Sequence, residues 1–167
     1  MALSQSLLET QLNSFLSAKI TYTTLAQSAI AFALAYSTFA ASATANGQPL
    51  IPPSPTLISD TIISMVPPFD PGGTLWATAV GIGISSYWAA ATFNPVPGPI
   101  SIASPPVPTT MSAPLLAAML STYILPGTTD SIVATSMATI LYAALIPSTL
   151  ALVIPPFPGS PYTVPVI

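Results

Sequence analysis

The chain has no cysteine, no histidine and no arginine, and only five of its 167 residues are charged: Glu9, Lys19, Asp60, Asp70 and Asp130. Charged residues make up 3% of it, against roughly a quarter in an average protein. Each absence removes a class of chemistry. Without cysteine there is no disulfide and no thiolate metal site. Without histidine there is no imidazole ligand and no imidazole acid–base catalyst near neutral pH. One lysine cannot neutralise a row of phosphates, so nucleic acid is excluded as a main partner. MALSQSLLETQLNSFLSAK lacks a basic leader and a continuous apolar run, and no Asn-x-Ser/Thr acceptor occurs; no export signal is expected.

What is present is apolar and small. Hydrophobic residues make up 51%, the mean hydropathy is +0.76, and there are 21 prolines, 20 serines and 20 threonines. Disordered chains show the reverse balance, and the length suffices for one domain with a core. A net charge of −3 gives little repulsion between copies. The chain is therefore expected to live inside an assembly or in lipid.

An internal repeat organises the sequence. With Leu7, Leu57 and Leu115 in register and no gaps, apolar positions coincide at Leu8/Ile58/Leu116, Leu12/Ile62/Leu120, Phe15/Met65/Tyr123 and Leu16/Val66/Ile124. Their spacing follows one helix face, so each unit opens with a short amphipathic helix. The connectors SAKITYTT, PPFDPGGT and LPGTTDSI follow, two of them rich in Pro and Gly, which favour turns. A longer apolar helix then starts at Leu25, Leu75 and Val133. Along it runs a stripe of small residues, Ser28/Thr78/Ser136, Ala31/Gly81/Thr139 and Ala35/Ser85/Ala143, of the kind that admits a second backbone at close range. Each unit ends in a proline-rich tail, at 48–56, 94–110 and 154–167. Proline removes a donor and extends its predecessor, so the tails are expected as extended arms or short edge strands.

The expected fold is thus mainly α: three tandem helical hairpins, a pseudo-threefold internal repeat, each followed by an arm. The units are 1–56, 57–110 and 111–167, forming one compact, assembly-dependent domain. Ser6 with Glu9 reads as a capping box. Ser112, with Pro114 in the first turn, Thr74 and Asp130 fit the starts of later helices. Asn46-Gly47, Asn94-Pro95 and Pro147 read as stops.

Few residues could carry chemistry. Four carboxylates are the candidate acids and bases; Glu9 and Asp130 are expected as caps, and Asp70 lies in a turn. None shows the pairing with a nucleophile or positioning group that catalysis needs. Lys19 reads as a solvated cation close to a helix C-terminus. Gly81-Ile-Gly83 lacks the third glycine and the preceding strand of a nucleotide fingerprint. Pro49/Pro52 and Pro105/Pro108 satisfy P-x-x-P without a flanking basic residue. Asp60, Asp70 and Asp130 lack the spacing of a metal loop. No catalysis, cofactor, metal or small-molecule substrate is expected.

In its amino-terminal unit, SLLETQLNSFLSAKITYTTLAQSAIAFALAYSTFAA followed by a Pro/Gly stretch, and in its ending PYTVPVI, the chain resembles the small, nearly uncharged Ala/Ser/Thr/Pro-rich virion proteins of tailed bacteriophages. The resemblance implies a structural particle component, such as a capsid cement or decoration protein or a tail-associated protein. Its partners would be other protein subunits, in many copies. The alternative is a small integral membrane protein spanning at 20–45, 71–93 and 131–154, stretches long enough for lipid. Against it stand leading helices of only about 15 Å, a single basic residue to orient the spans, and runs diluted with Ser, Thr and Gln27.

Overall fold

The computed structural model describes residues 3–45, 47–67, 70, 73–94, 101–102, 129–145, 149–153 and 162–165, with backbone alone at 101–102, 149–153 and 162–165. The described residues form five α-helices and six short strands. These are α1 (Gln5–Ser17), α2 (Leu25–Ala40), β1 (Thr44–Ala45), β2 (Gln48–Ile51), α3 (Thr56–Met65), α4 (Thr74–Ala90), β3 (Thr92–Phe93), β4 (Ser101–Ile102), α5 (Asp130–Leu145), β5 (Thr149–Val153) and β6 (Tyr162–Pro165). The protein is mainly helical, with small antiparallel sheets.

Helix starts follow local chemistry, with three departures from expectation. Ser4, not Ser6, caps α1: it is extended and its hydroxyl accepts from the Leu7 N–H at 3.4 Å. Glu9 does not close a capping box, because its carboxylate accepts from the Thr135 hydroxyl of α5 at 2.6 Å. Thr74 is not the cap of α4. Gly73 holds that place at φ 66°, a left-handed backbone that suits glycine. There the Asp70 carboxylate accepts from the Trp76 N–H at 2.9 Å and satisfies an orphan donor. Asp130 is the first residue of α5, where its charge opposes the helix dipole; the Thr129 carbonyl accepts from the Val133 N–H. Thr24 caps α2, and Gln27 returns the favour to the Thr23 N–H at 2.7 Å. Helix α3 stops at Val66, extended because Pro67 disfavours the helical region for its predecessor. Helices α2, α4 and α5 end at Ala40, Ala90 and Leu145, ahead of the expected stops. The Ser112 cap lies outside the described residues.

Packing sorts the helices into two kinds. Each short helix lies against two long ones: α1 against α2 and α5, and α3 against α2 and α4. The short helices are amphipathic, burying Leu8, Leu12 and Phe15 in α1 and Ile58, Ser59 and Ile62 in α3. The long helices are apolar nearly all round. Their buried residues recur in one pattern: Ala29/Ala77/Ala134, Phe32/Val80/Met137, Ala33/Gly81/Ala138, Ala35/Gly83/Ile140, Tyr36/Ile84/Leu141, Phe39/Tyr87/Ala144 and Ala40/Trp88/Leu145. Only Ala79 is buried outside it. The same register puts Thr44, Thr92 and Thr149 at the starts of β1, β3 and β5.

This register differs from the ungapped one. Ungapped alignment matches Leu25 with Leu75 and Val133; burial matches Leu25 with Gly73 and Asp130. Slips of two residues in α4 and three in α5 turn a helix face by about 200° and 300°, so the small-residue stripe does not form one common face. Ala35 and Gly81 are buried and Ser28, Ala31, Thr78, Ser85 and Ser136 half-buried, whereas Thr139 and Ala143 are exposed. The close approach falls instead at Gly83. A Cβ there would sit 3.0 Å from the Cα of Ile58 and 3.3 Å from its carbonyl oxygen, so α3 and α4 touch backbone to backbone.

The core between α2 and α4 is aromatic. Phe32 meets Trp76 edge-on at 5.4 Å, and Tyr36 meets Tyr87 at 6.1 Å. The fully buried Trp88 donates from Nε1 to the Tyr36 hydroxyl at 2.8 Å. Along the exposed edge between α1 and α5 the contacts are polar. Gln5 Nε2 donates to the Thr139 hydroxyl at 3.0 Å and the Tyr142 hydroxyl to the Leu3 carbonyl at 3.3 Å. With Glu9 on Thr135, these contacts set the two helices antiparallel.

The proline-rich tails are only partly within the described residues. The first does not supply an edge strand: β2 lies between β1 and β3, antiparallel to both. Pro49 is tolerated in this middle place because successive strand residues turn their polar groups to opposite neighbours. Leu50 donates to Ala43 on the β1 side, so Pro49 faces β3, where its carbonyl accepts from Asn94 just past the strand end. In the second sheet β5 is central, and β4 and β6, from the other two tails, form the edges.

Candidate functional site

Among the described residues no cluster of His, Cys, Asp or Glu could hold a metal ion. The described residues enclose a hollow of about 310 Å³ around the first turns of the long helices. Ser28 of α2, Trp76 of α4 and Val133 of α5 line it, and these three hold the same place in the shared burial pattern. Met137 lines it one turn beyond Val133, and Phe15 and Leu16 close it from α1. Behind them Phe15 meets Phe32 edge-on at 5.6 Å, and Phe15 stacks with Tyr22 at 5.8 Å. Lys19 and Gly73 complete the wall.

The only cation of the chain is at this cavity. Lys19 lies in a single 3₁₀ turn, Lys19–Thr21, after α1, and its Nζ pairs with Asp130 Oδ1 at the start of α5. Both side chains keep contact with water, at 56% and 33% exposure. Such a pair contributes little, about 0–1 kcal/mol. Lys19→Met is accordingly expected to move the urea midpoint by less than about 1 kcal/mol-equivalent of stability, and a larger loss would mean that the pair holds α1 to α5. Among the described lining residues the cavity offers one hydroxyl, one ammonium already held by a carboxylate, and otherwise mainly hydrocarbon and aromatic surface. It is suited to contact with apolar groups.

A second hollow of about 310 Å³ runs between α1 and α2, lined by Gln11, Ser14, Tyr22, Ala31, Leu34 and Thr38 among others. Beside it Ile30 and Leu34 stand out from α2, about half exposed. Ile20, Ile51, Ile63, Leu75 and Ile132 are also exposed.

The sequence-derived positions distribute as follows. Leu12, Phe15 and Ile62 are buried, and Leu7, Leu57 and Met65 half-buried; Leu115, Leu120 and Tyr123 lie outside the described residues. Of the small-residue stripe only Ser28 reaches the cavity around the helix starts, while Ala31 and Ala35 line the α1–α2 hollow. Sequence reasoning missed Trp76 and Val133 as partners of Ser28. Breaking the alignment within the connectors would have matched them.

No described helix is long and apolar enough to cross a membrane; α4, with 17 residues, spans about 25 Å at the usual rise. Comparison with protein-family models, with curated proteins and with solved structures returns no match.

Proposed function

We propose that the protein is a structural component of a virus particle, a capsid cement or tail-associated subunit held by apolar docking, with no catalytic role and no cofactor. It is read as three helical hairpins around a local threefold axis. The buried pattern common to α2, α4 and α5, and the place of both described short helices between two long ones, support that reading; the segment expected to open the third hairpin lies outside the described residues. The observation that carries the functional reading is surface chemistry. Seven large apolar side chains are exposed among the described residues, on a chain with five charges. With so little charge around them, these side chains are read as points of contact with another apolar surface.

Burying about 1,000 Å² of apolar area contributes on the order of 25 kcal/mol before ordering costs, enough to hold a subunit almost without ion pairs. Attachment should then be nearly indifferent to salt, because there is little charge to screen. The test is purification of intact particles without detergent. The chain is expected to stay with them through 1 M salt, and to leave in detergent or chaotrope. Release by moderate salt, or recovery in membrane fractions alone, would overturn the reading.

A further inference from the structure

The cavity around the helix starts shares one end of the molecule with three exposed apolar side chains, including the two most exposed among the described residues. Ile20 is 87% exposed, Ile132 56% and Leu75 43%, and each is the chain neighbour of a cavity-lining residue: Lys19, Val133 and Trp76 respectively. That end therefore carries both a projection, Ile20, and a hollow. It also carries one cation and one anion side by side, Lys19 and Asp130.

We propose that this end is an interface between two copies of the chain, related by a twofold axis. Ile20 of each copy enters the cavity of the other, and Lys19 and Asp130 exchange partners across the contact. Two properties select a second copy as the occupant. A twofold contact places the same surface on both sides, so each feature must meet its complement within one face; projection with hollow, and cation with anion, meet that condition. The charges also argue against a purely apolar occupant, which would strip water from the pair without replacing it. A second copy instead gives each charge a second opposite charge. The driving force is removal from water of Ile20, Leu75 and Ile132 and of the apolar lining of the hollow. The inference does not rest on the particle reading, because isolated protein tests it.

The test is sedimentation equilibrium of the full chain over a range of concentrations. The expected species is a dimer of the 17.0 kDa chain. Ile20→Lys, at a position too exposed to affect folding, should weaken the dimer by about 30-fold or more, the scale of an interface hot spot. Ser28→Phe should do the same from the other side by filling the hollow while Ile20 is intact, with helical circular dichroism unchanged. Lys19→Glu should weaken association, and the exchanged pair Lys19→Glu/Asp130→Lys should restore it. Ile51→Lys, in β2 beyond the opposite ends of the long helices, should change nothing. A monomer at every concentration would overturn the proposal. So would association that both Ile20→Lys and Ser28→Phe leave intact. Particle incorporation of Ile20→Lys, scored separately, reports on the particle reading alone.

Discussion

Gly83→Ala is expected to destabilise the protein by about 1–3 kcal/mol, the usual range for overpacking a core. Two effects oppose each other. Alanine favours a helix interior by about 1 kcal/mol over glycine, which by itself would stabilise α4. The added methyl, however, would sit 3.0 Å from Ile58 Cα and 3.3 Å from its carbonyl oxygen. These are backbone atoms, and they recede only if α3 as a whole moves off α4. Packed interiors resist such movement, so the clash wins. Gly83→Val, with two more carbons against the same backbone, should cost more than about 3 kcal/mol and lower helicity at room temperature. Gly47→Ala is the control. It has nothing within 4 Å of its Cβ, and its φ of +75° limits the loss to the left-handed strain of about 1–2 kcal/mol. Urea denaturation of the three variants decides the matter. If Gly83→Ala is as stable as the parent, α3 is free to recede and the backbone contact does not set the helix spacing.

Two neighbouring tyrosines should respond oppositely to the same substitution. Tyr36→Phe removes the acceptor of the buried Trp88 Nε1–H and is expected to cost about 1–3 kcal/mol, the penalty for stranding a buried donor. Tyr87 is equally buried, but its hydroxyl has no hydrogen-bond partner among the described residues. Tyr87→Phe discards a polar group that already bears its desolvation cost and should leave stability unchanged or raise it by about 1 kcal/mol. Alkaline titration offers an independent reading. Burial pushes the Tyr87 hydroxyl up to about 12. For Tyr36 burial drives a still larger rise, opposed by the Trp88 donor and reinforced by Tyr87. The unfolded chain releases these protons near pH 10 while the folded chain retains them, so stability is full below pH 10 and falls above it. Each group removes about 1.4 kcal/mol per pH unit, Tyr87 until about pH 12. Stability at pH 11 relative to pH 9 should therefore fall less in Tyr87→Phe than in the parent. An identical fall would place the Tyr87 hydroxyl in water.

How much of this was legible in the sequence differs from element to element. The amphipathic faces of α1 and α3 were readable because their apolar residues are separated by polar ones: Leu8, Leu12 and Phe15 alternate with Asn13, Ser14 and Ser17, and one phase alone buries them. In α2, α4 and α5 that signal is missing. Nearly every side chain is apolar or small, so several phases look alike, and the ungapped register was one of them. Gly83 shows the difficulty. Gly81 and Gly83 are chemically identical and two residues apart, yet only the packing of α3 says which one meets Ile58. The partners of Asp70, Glu9 and Lys19 were equally hidden. A carboxylate at a turn or a helix start satisfies local rules, but its choice between its own backbone and a distant element depends on where that element arrives.

By itself the sequence determined how little charge the molecule carries and which side-chain chemistries it lacks. Charge, histidine and cysteine counts need no coordinates. Helix periodicity determined that the chain is mainly helical, since hydrogen bonding within a helix is local. The tertiary structure alone decided the register of the long helices, the Gly83 contact, the middle place of β2 and the meeting of Ser28, Trp76 and Val133 at one cavity. Each of these joins residues far apart in the chain, and distance along a chain of near-uniform composition leaves no mark of which apolar group will meet which. Only burial, which excludes every phase but one, distinguishes them.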